Sequence, residues 1–161
     1  MAAVDGVTVA ELLSATRVAT LRRAAPVLDA PTAMHGGATG GVRTLLRLEG
    51  LVVLAGAVIA YQQVGAGWGA FALLFLLPDL SLLGYLRGAR TGALLYNAAH
   101  SYLGPAALIA AGVLGAQPVA LALGLVWTAH IGFDRLLGYG LKYGSGFGAT
   151  HLGPIGRADP W

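Results

Sequence analysis

Four apolar stretches, at residues 43–64, 67–86, 91–114 and 118–141, leave this chain few ways to fold. A helix needs about 20 mostly apolar residues to cross a hydrocarbon core of about 30 Å, and each stretch meets that length. The breaks between them are short. Gln62, Gln63, Gly65 and Gly67 mark the first, Arg87 to Arg90 the second, and Gly115 to Pro118 the third, with Pro118 suited to the first turn of the next helix. Short turns make consecutive helices antiparallel neighbours. Soluble chains carry about a quarter charged residues. Here 11% are charged and 57% hydrophobic, at a mean hydropathy of +0.71, so the apolar surface needs lipid to face. Twenty-five glycines fit the same picture, because helices in lipid associate through close backbone approach. The expected fold is all-α: a polytopic membrane protein built as a four-transmembrane-helix antiparallel bundle.

The distribution of charge sets an orientation. All ten Lys and Arg residues lie in the N-terminal tail and the start of the first stretch, the Arg87 turn, or the C-terminal end. By the positive-inside rule these regions are cytoplasmic, which puts both termini on that side. Tyr61 and Trp68 suit the opposite interface. The net charge of +3 then reflects topology and anionic lipid, with no nucleic acid as partner. Residues 1–42 read as a cytoplasmic tail with no secretory signal, either solvated or partly a surface helix over 8–25, with a Pro/Gly linker at 30–41. The absence of cysteine excludes disulfides, thiolate metal sites and a cysteine nucleophile.

Ionisable residues inside apolar stretches are expensive and mark function. The second stretch carries Asp79, the third Tyr96, Asn97 and His100, the fourth His130, Asp134 and Arg135, and Glu49 lies near the start of the first. At a rise of 1.5 Å per residue, Asp79 is about 12 Å from Arg87, His100 about 15 Å from Arg90, and Asp134 and His130 about 12 and 18 Å from Lys142. Four such residues from three helices therefore share the cytoplasmic half. His130 and Asp134, like Tyr96 and His100, are four apart and share a helix face. Two aspartates at about 2.5 to 3.5 kcal/mol each must face inward and find partners. Pro78 frees the carbonyl of Leu74 and bends the helix beside Asp79, and Pro105 does the same for Ser101 after His100.

Imidazoles and carboxylates are ligands for Zn, Mn or Fe, which makes His100, His130, Asp134 and Asp79 a candidate metal set supported by Tyr96, Asn97 and Arg135. Two other readings remain open. One is a metal-free network in which Arg135 neutralises Asp134 or Asp79 and the histidines bond to Tyr96, Asn97 or backbone carbonyls. The other is a bis-histidine haem, which a carboxylate-rich pocket disfavours. Glu49 either joins the site or pairs with Arg43 or Arg47. Tyr85, Tyr139 and Tyr143 read as interfacial anchors and Lys142 as a snorkelling residue. The C-terminal segment 142–161, with His151 after a run of glycines, either folds over the mouth of the bundle as a lid or stays a solvated loop.

The stretches Arg47-Leu-Glu-Gly50, Leu77-Pro-Asp-Leu-Ser-Leu-Leu-Gly-Tyr85, Tyr96-Asn-Ala-Ala-His100, His130 to Tyr143 and Thr150-His-Leu-Gly153 resemble the pattern of domain of unknown function 4260, a family of small bacterial membrane proteins. The similarity runs over about residues 43 to 157. It implies a four-helix topology and a bacterial inner membrane location, and it brings no activity. It also implies that Glu49 and His151, which fall within the matching motifs, belong with Asp79 as candidate catalytic residues. A looser similarity to membrane-bound metal-dependent hydrolases rests on the Pro-Asp element and the helix-borne His and Asp residues.

The expected function is a metal-dependent hydrolase acting on a lipid or other amphiphile, with metal-dependent redox chemistry as a variant on the same ligands. A proton-coupled or ion carrier and a non-catalytic membrane assembly protein are the alternatives. Membrane lipid is the expected partner, and a homodimer is the expected assembly for so short a bundle.

Overall fold

The computed structural model describes residues 36–156. The expected tail therefore lies outside the described residues up to position 35, including the surface-helix reading of 8–25, as do residues 157–161 of the C-terminal segment.

Apolar residues broken only by proline and glycine set the elements. Helix α1 spans Gly40–Val64 and ends where Gly65 adopts left-handed backbone at φ 73°. Helix α2 spans Trp68–Phe75. The chain then tightens into a 3₁₀ helix over Leu77–Arg87, with Pro78 in its first turn, where a missing N–H costs least. Runs of 3₁₀ helix longer than about four residues are uncommon, so an 11-residue one is a departure imposed by the sequence around Pro78 and Asp79. Helices α3 (Ala89–Ala99), α4 (Leu103–Leu114) and α5 (Pro118–Leu137) follow. Gly138, at φ 96°, donates its N–H to Asp134 and Arg135 carbonyls and ends α5 four residues before the expected boundary. Among the described residues the only β pairing is an isolated bridge between Lys142 and Thr150.

Three segments are long and apolar enough to cross a membrane: Gly40–Val64, Trp68–Arg87 and Pro118–Leu137. The third expected span, 91–114, is not one continuous helix. It breaks at His100–Tyr102, and Pro105 lies in the first turn of α4 rather than at a kink inside a longer helix. The reason is local. A continuous helix would need an N–H from Pro105 for the Ser101 carbonyl, whereas a fresh helix start needs none. Pro78 behaves in the same way, restarting its segment as a 3₁₀ helix instead of bending an α-helix.

Freed backbone groups inside an apolar layer must be satisfied within the protein. At the break, the indole N–H of Trp127 donates to the Ala99 carbonyl at 2.6 Å, and Arg135 donates to the His100 carbonyl at 3.0 Å. Both donors are on α5, so that helix holds the interruption open.

Helix α5 is the most buried of the three long segments and packs antiparallel to α1 on one side and α4 on the other. Close approach requires glycine at Gly50 and Gly132. A Cβ at Gly50 would lie 2.6 Å from the Cβ of Arg135, and one at Gly132 would lie 2.7 Å from the backbone nitrogen of Leu54. Away from the break, Tyr61, Leu125 and Val126 form an apolar core with Phe71 and Phe75, and the Tyr61 hydroxyl donates to the Gly67 carbonyl. At the other end, residues 139–156 fold back. Asn97 clamps Lys142 by both its backbone N–H and its carbonyl, at 2.7 and 2.8 Å, and the Ala38 N–H donates to the His151 carbonyl.

Candidate metal centre

The break in the third segment, the 3₁₀ helix of the second and α5 come together at the candidate residues. Asp79, His100, His130 and Asp134 each bring one donor atom to a common point, with all four atoms within 4.8 Å of one another. His100 Nε2 lies 3.1 Å from His130 Nε2, 3.4 Å from Asp134 Oδ2 and 3.5 Å from Asp79 Oδ1, and His130 Nε2 lies 3.6 Å from Asp79 Oδ1. A tetrahedral ion with ligands at 2.0 to 2.2 Å separates them by about 3.3 to 3.6 Å, and an octahedral ion separates its adjacent ligands by about 3.0 Å. Those four separations fall in that range and the remaining two pairs lie within 4.8 Å, so these four side chains could hold a metal ion.

The surrounding groups orient the donors. His100 Nδ1 is 2.9 Å from the Tyr96 carbonyl; as an N–H it donates there, which leaves the Nε2 lone pair facing the centre. The Tyr96 ring stacks on the His100 ring at 3.7 Å, and its hydroxyl donates to Asp134 Oδ2 at 2.8 Å. One residue thus fixes two of the donors. Phe75 packs edge-on against His130. His130 Nδ1 is buried with no hydrogen-bond partner among the described residues. Both histidines are 1% exposed, whereas the Asp79 side chain is 38% exposed and forms the open side.

Arg135 does not neutralise either aspartate. Its guanidinium donates to the carbonyls of His100 and Tyr139, and among the described residues the only basic partners within 4 Å of Asp79 and Asp134 are the two imidazoles. Asn97 serves the folded-back segment rather than the donors.

Glu49 and His151 do not reach the cluster. Together with Arg135 and Tyr102 they line a separate cavity of about 220 Å³. His151 Nδ1 accepts the Leu141 N–H at 2.7 Å, and burial together with the Arg135 charge holds its imidazole below its ordinary pKa. Among the described residues Glu49 forms no ion pair with Arg43 or Arg47, whose guanidinium groups donate to the carbonyls of Pro154 and Leu136.

The model of domain of unknown function DUF4260 matches residues 43–155, which contain both the cluster and the second cavity. The chain belongs to the DUF4260 family. No curated protein and no solved structure matches it. In this DUF4260 chain, sequence reasoning missed two contributors. Trp127 is three residues before His130 on the same face, so an indole N–H in mid-span was the available signal. Lys142 does not snorkel outward. It is buried, with its ammonium 4.6 Å from the centre of the Tyr96 ring and 3.6 Å from that of Phe147, and it donates to the Phe147 carbonyl. Burial lowers its pKa to about 8, against the opposing pull of Asp134.

Proposed function

We propose that the chain is a membrane-embedded, metal-dependent hydrolase acting on an amphiphile, with four membrane crossings and both termini cytoplasmic. The observation that carries this reading is the convergence of two carboxylates and two imidazoles, in an apolar layer, with no Lys or Arg among them. Such a group calls for a cation. His100, His130 and Asp134, the more deeply buried donors, would hold it, and Zn, Mn and Fe suit the donor set. A bound divalent ion supplies Lewis acidity and lowers the pKa of water. Asp79, on the open side, is placed to take a proton from water, and Tyr96 keeps Asp134 in its ligating orientation.

The substrate class follows from the space next to Asp79. A cavity of about 360 Å³ is lined by Leu74, Pro78, Ala99, Leu108, Val126 and Trp127, with almost no polar surface. Pro78 and Ala99 directly precede Asp79 and His100, so an apolar chain in this cavity would bring its polar end to the cluster. Membrane lipid is the natural source.

Elemental analysis of protein purified without chelator tests the centre. Wild type is expected to carry about one metal per chain, the His100→Ala, His130→Ala double variant close to none, and Asp79→Asn to keep metal while losing lipid hydrolysis. A folded wild type that holds no metal and cannot be loaded would overturn the reading.

A second reading draws on a different contact. The two Nε2 atoms at 3.1 Å, with His130 Nδ1 unpartnered among the described residues, form an imidazole pair of the kind a proton-coupled carrier uses. Proton flux into proteoliposomes that disappears with Asp79→Asn, from metal-free protein, would favour it.

A further inference from the structure

Arg135 is 8% exposed, and among the described residues it has no carboxylate within 4 Å, only two backbone carbonyls. A buried guanidinium without a counter-charge is costly. The second cavity lies against it and is roofed by His151 from the folded-back segment. With Nδ1 occupied by the Leu141 N–H, a neutral His151 carries its proton on Nε2 and is a donor. The Tyr102 hydroxyl has no hydrogen-bond partner among the described residues and lines the same space. Three donor groups, one of them cationic, thus surround a cavity of about 220 Å³. The remaining polar group on its wall is the Glu49 carboxylate, which has no cationic partner within 4 Å among the described residues.

We propose that this cavity binds a small zwitterion, a phosphate monoester or diester bearing a primary ammonium, with the phosphate at Arg135, Tyr102 and His151 and the ammonium at Glu49. A plain anion would satisfy Arg135 and be repelled by Glu49, and a plain cation the reverse. A ligand carrying both charges answers both side chains, and a diester leaves the pocket neutral while a monoester adds about one negative charge at most. The cavity is distinct from the four-donor cluster, since the Arg135 side chain and the His100 backbone lie between them. The same chemistry comes from two sources: an aminophospholipid headgroup, whose chains could run along the exposed Leu45, Leu48 and Val52 of α1, or a free phosphoethanolamine.

The test counts ligands bound to the full chain in mild detergent by native mass spectrometry, with phosphoethanolamine, inorganic phosphate, phosphatidylethanolamine and phosphatidylglycerol as probes. Wild type is expected to prefer the ammonium-bearing member of each pair by roughly tenfold, and Glu49→Gln to abolish that preference. Glu49 is exposed on α1, so this variant should fold. His151→Ala is expected to weaken both members of each pair. Retention of the two-chain lipid alone assigns a membrane source, and retention of phosphoethanolamine alone a soluble one. Binding is expected to persist in the His100→Ala, His130→Ala variant, which separates this proposal from the fate of the metal centre. Equal binding of phosphate and phosphoethanolamine, a preference unchanged in Glu49→Gln, or no binding of any probe would overturn it; the last result would mean a water-bridged Arg135–Glu49 pair.

Discussion

Helices α1 and α5 are uninterrupted over 25 and 20 residues, whereas the chain between Leu76 and Tyr102 passes through a 3₁₀ helix, a turn, a short α-helix and a break. The regular pair approaches closely through glycine and forms the scaffold. The irregular stretch carries Asp79 and His100, half of the donor cluster. Irregular backbone in an apolar layer is tolerated where it lines a polar site and where other side chains satisfy its carbonyls. Trp127 and Arg135 provide that satisfaction from the regular side. The interruption is thus a way of pointing side chains that a straight helix would send elsewhere.

If α1 and α5 are the scaffold, their contact should tolerate least. Gly50→Leu is expected to destabilise the protein by about 3 kcal/mol or more, because its first carbon already meets Arg135 and Leu136 backbone and side chain. Gly56→Ala, on the same helix but facing open space, should change stability by less than about 1 kcal/mol. Unfolding titrations in mixed micelles with SDS would compare the two. Similar losses for both would remove the distinction between scaffold and lipid-facing surface.

The irregular stretch should respond to a subtler change. Trp127→Phe keeps an aromatic ring but loses part of the indole packing and deletes the donor to the Ala99 carbonyl, with an expected cost of about 1 to 3 kcal/mol for the unpaired buried acceptor alone. Amide hydrogen exchange should localise the loosening to residues 97–106 and spare α1. Loosening spread evenly over both regions would mean that the break is held by something other than α5.

The regular half was legible in the sequence, because length, hydropathy and bounding glycines specify a long helix directly. The identity of the donor cluster was legible too: the cost of Asp79 and Asp134 in an apolar layer, and the four-residue spacing of His130 and Asp134, point inward whatever the backbone does. The irregular backbone was harder to read. Pro78 and Pro105 signal a disturbance, yet a kink, a 3₁₀ switch and a full restart all relieve the same missing N–H, and tertiary donors decide among them. Arg135 illustrates the same limit. Its position next to Asp134 suggests a salt bridge, but its nearest unmet need is the carbonyl of His100, which only the folded structure brings close. Glu49 and His151 looked like part of one site because they fall within the motifs that carry the family resemblance, and the structure places them on a separate cavity with Arg135.

The smallest effect concerns the segment that closes over the irregular half. Lys142 is the sole lysine of the sequence, so amine chemistry away from the N-terminus reports on it alone. Its pKa is lowered from 10.5 in the unfolded chain to about 8 when it is buried over Tyr96 and Phe147. A depressed folded value means that the unfolded state binds the proton more tightly between these limits. The resulting stabilisation is therefore fully present above about pH 10.5 and is lost as pH falls through about 8. Melting temperature should rise with pH from 8 to 10 in wild type, and this slope should flatten in Lys142→Met, which keeps the apolar stem and removes the titrating group. Acylation of Lys142, followed by mass spectrometry, should show a pH midpoint near 8 at a rate slowed by burial. A midpoint near 10.5, with the same melting slope in both proteins, would place the amine in solvent and detach the segment from Tyr96, leaving the donor cluster without its cover.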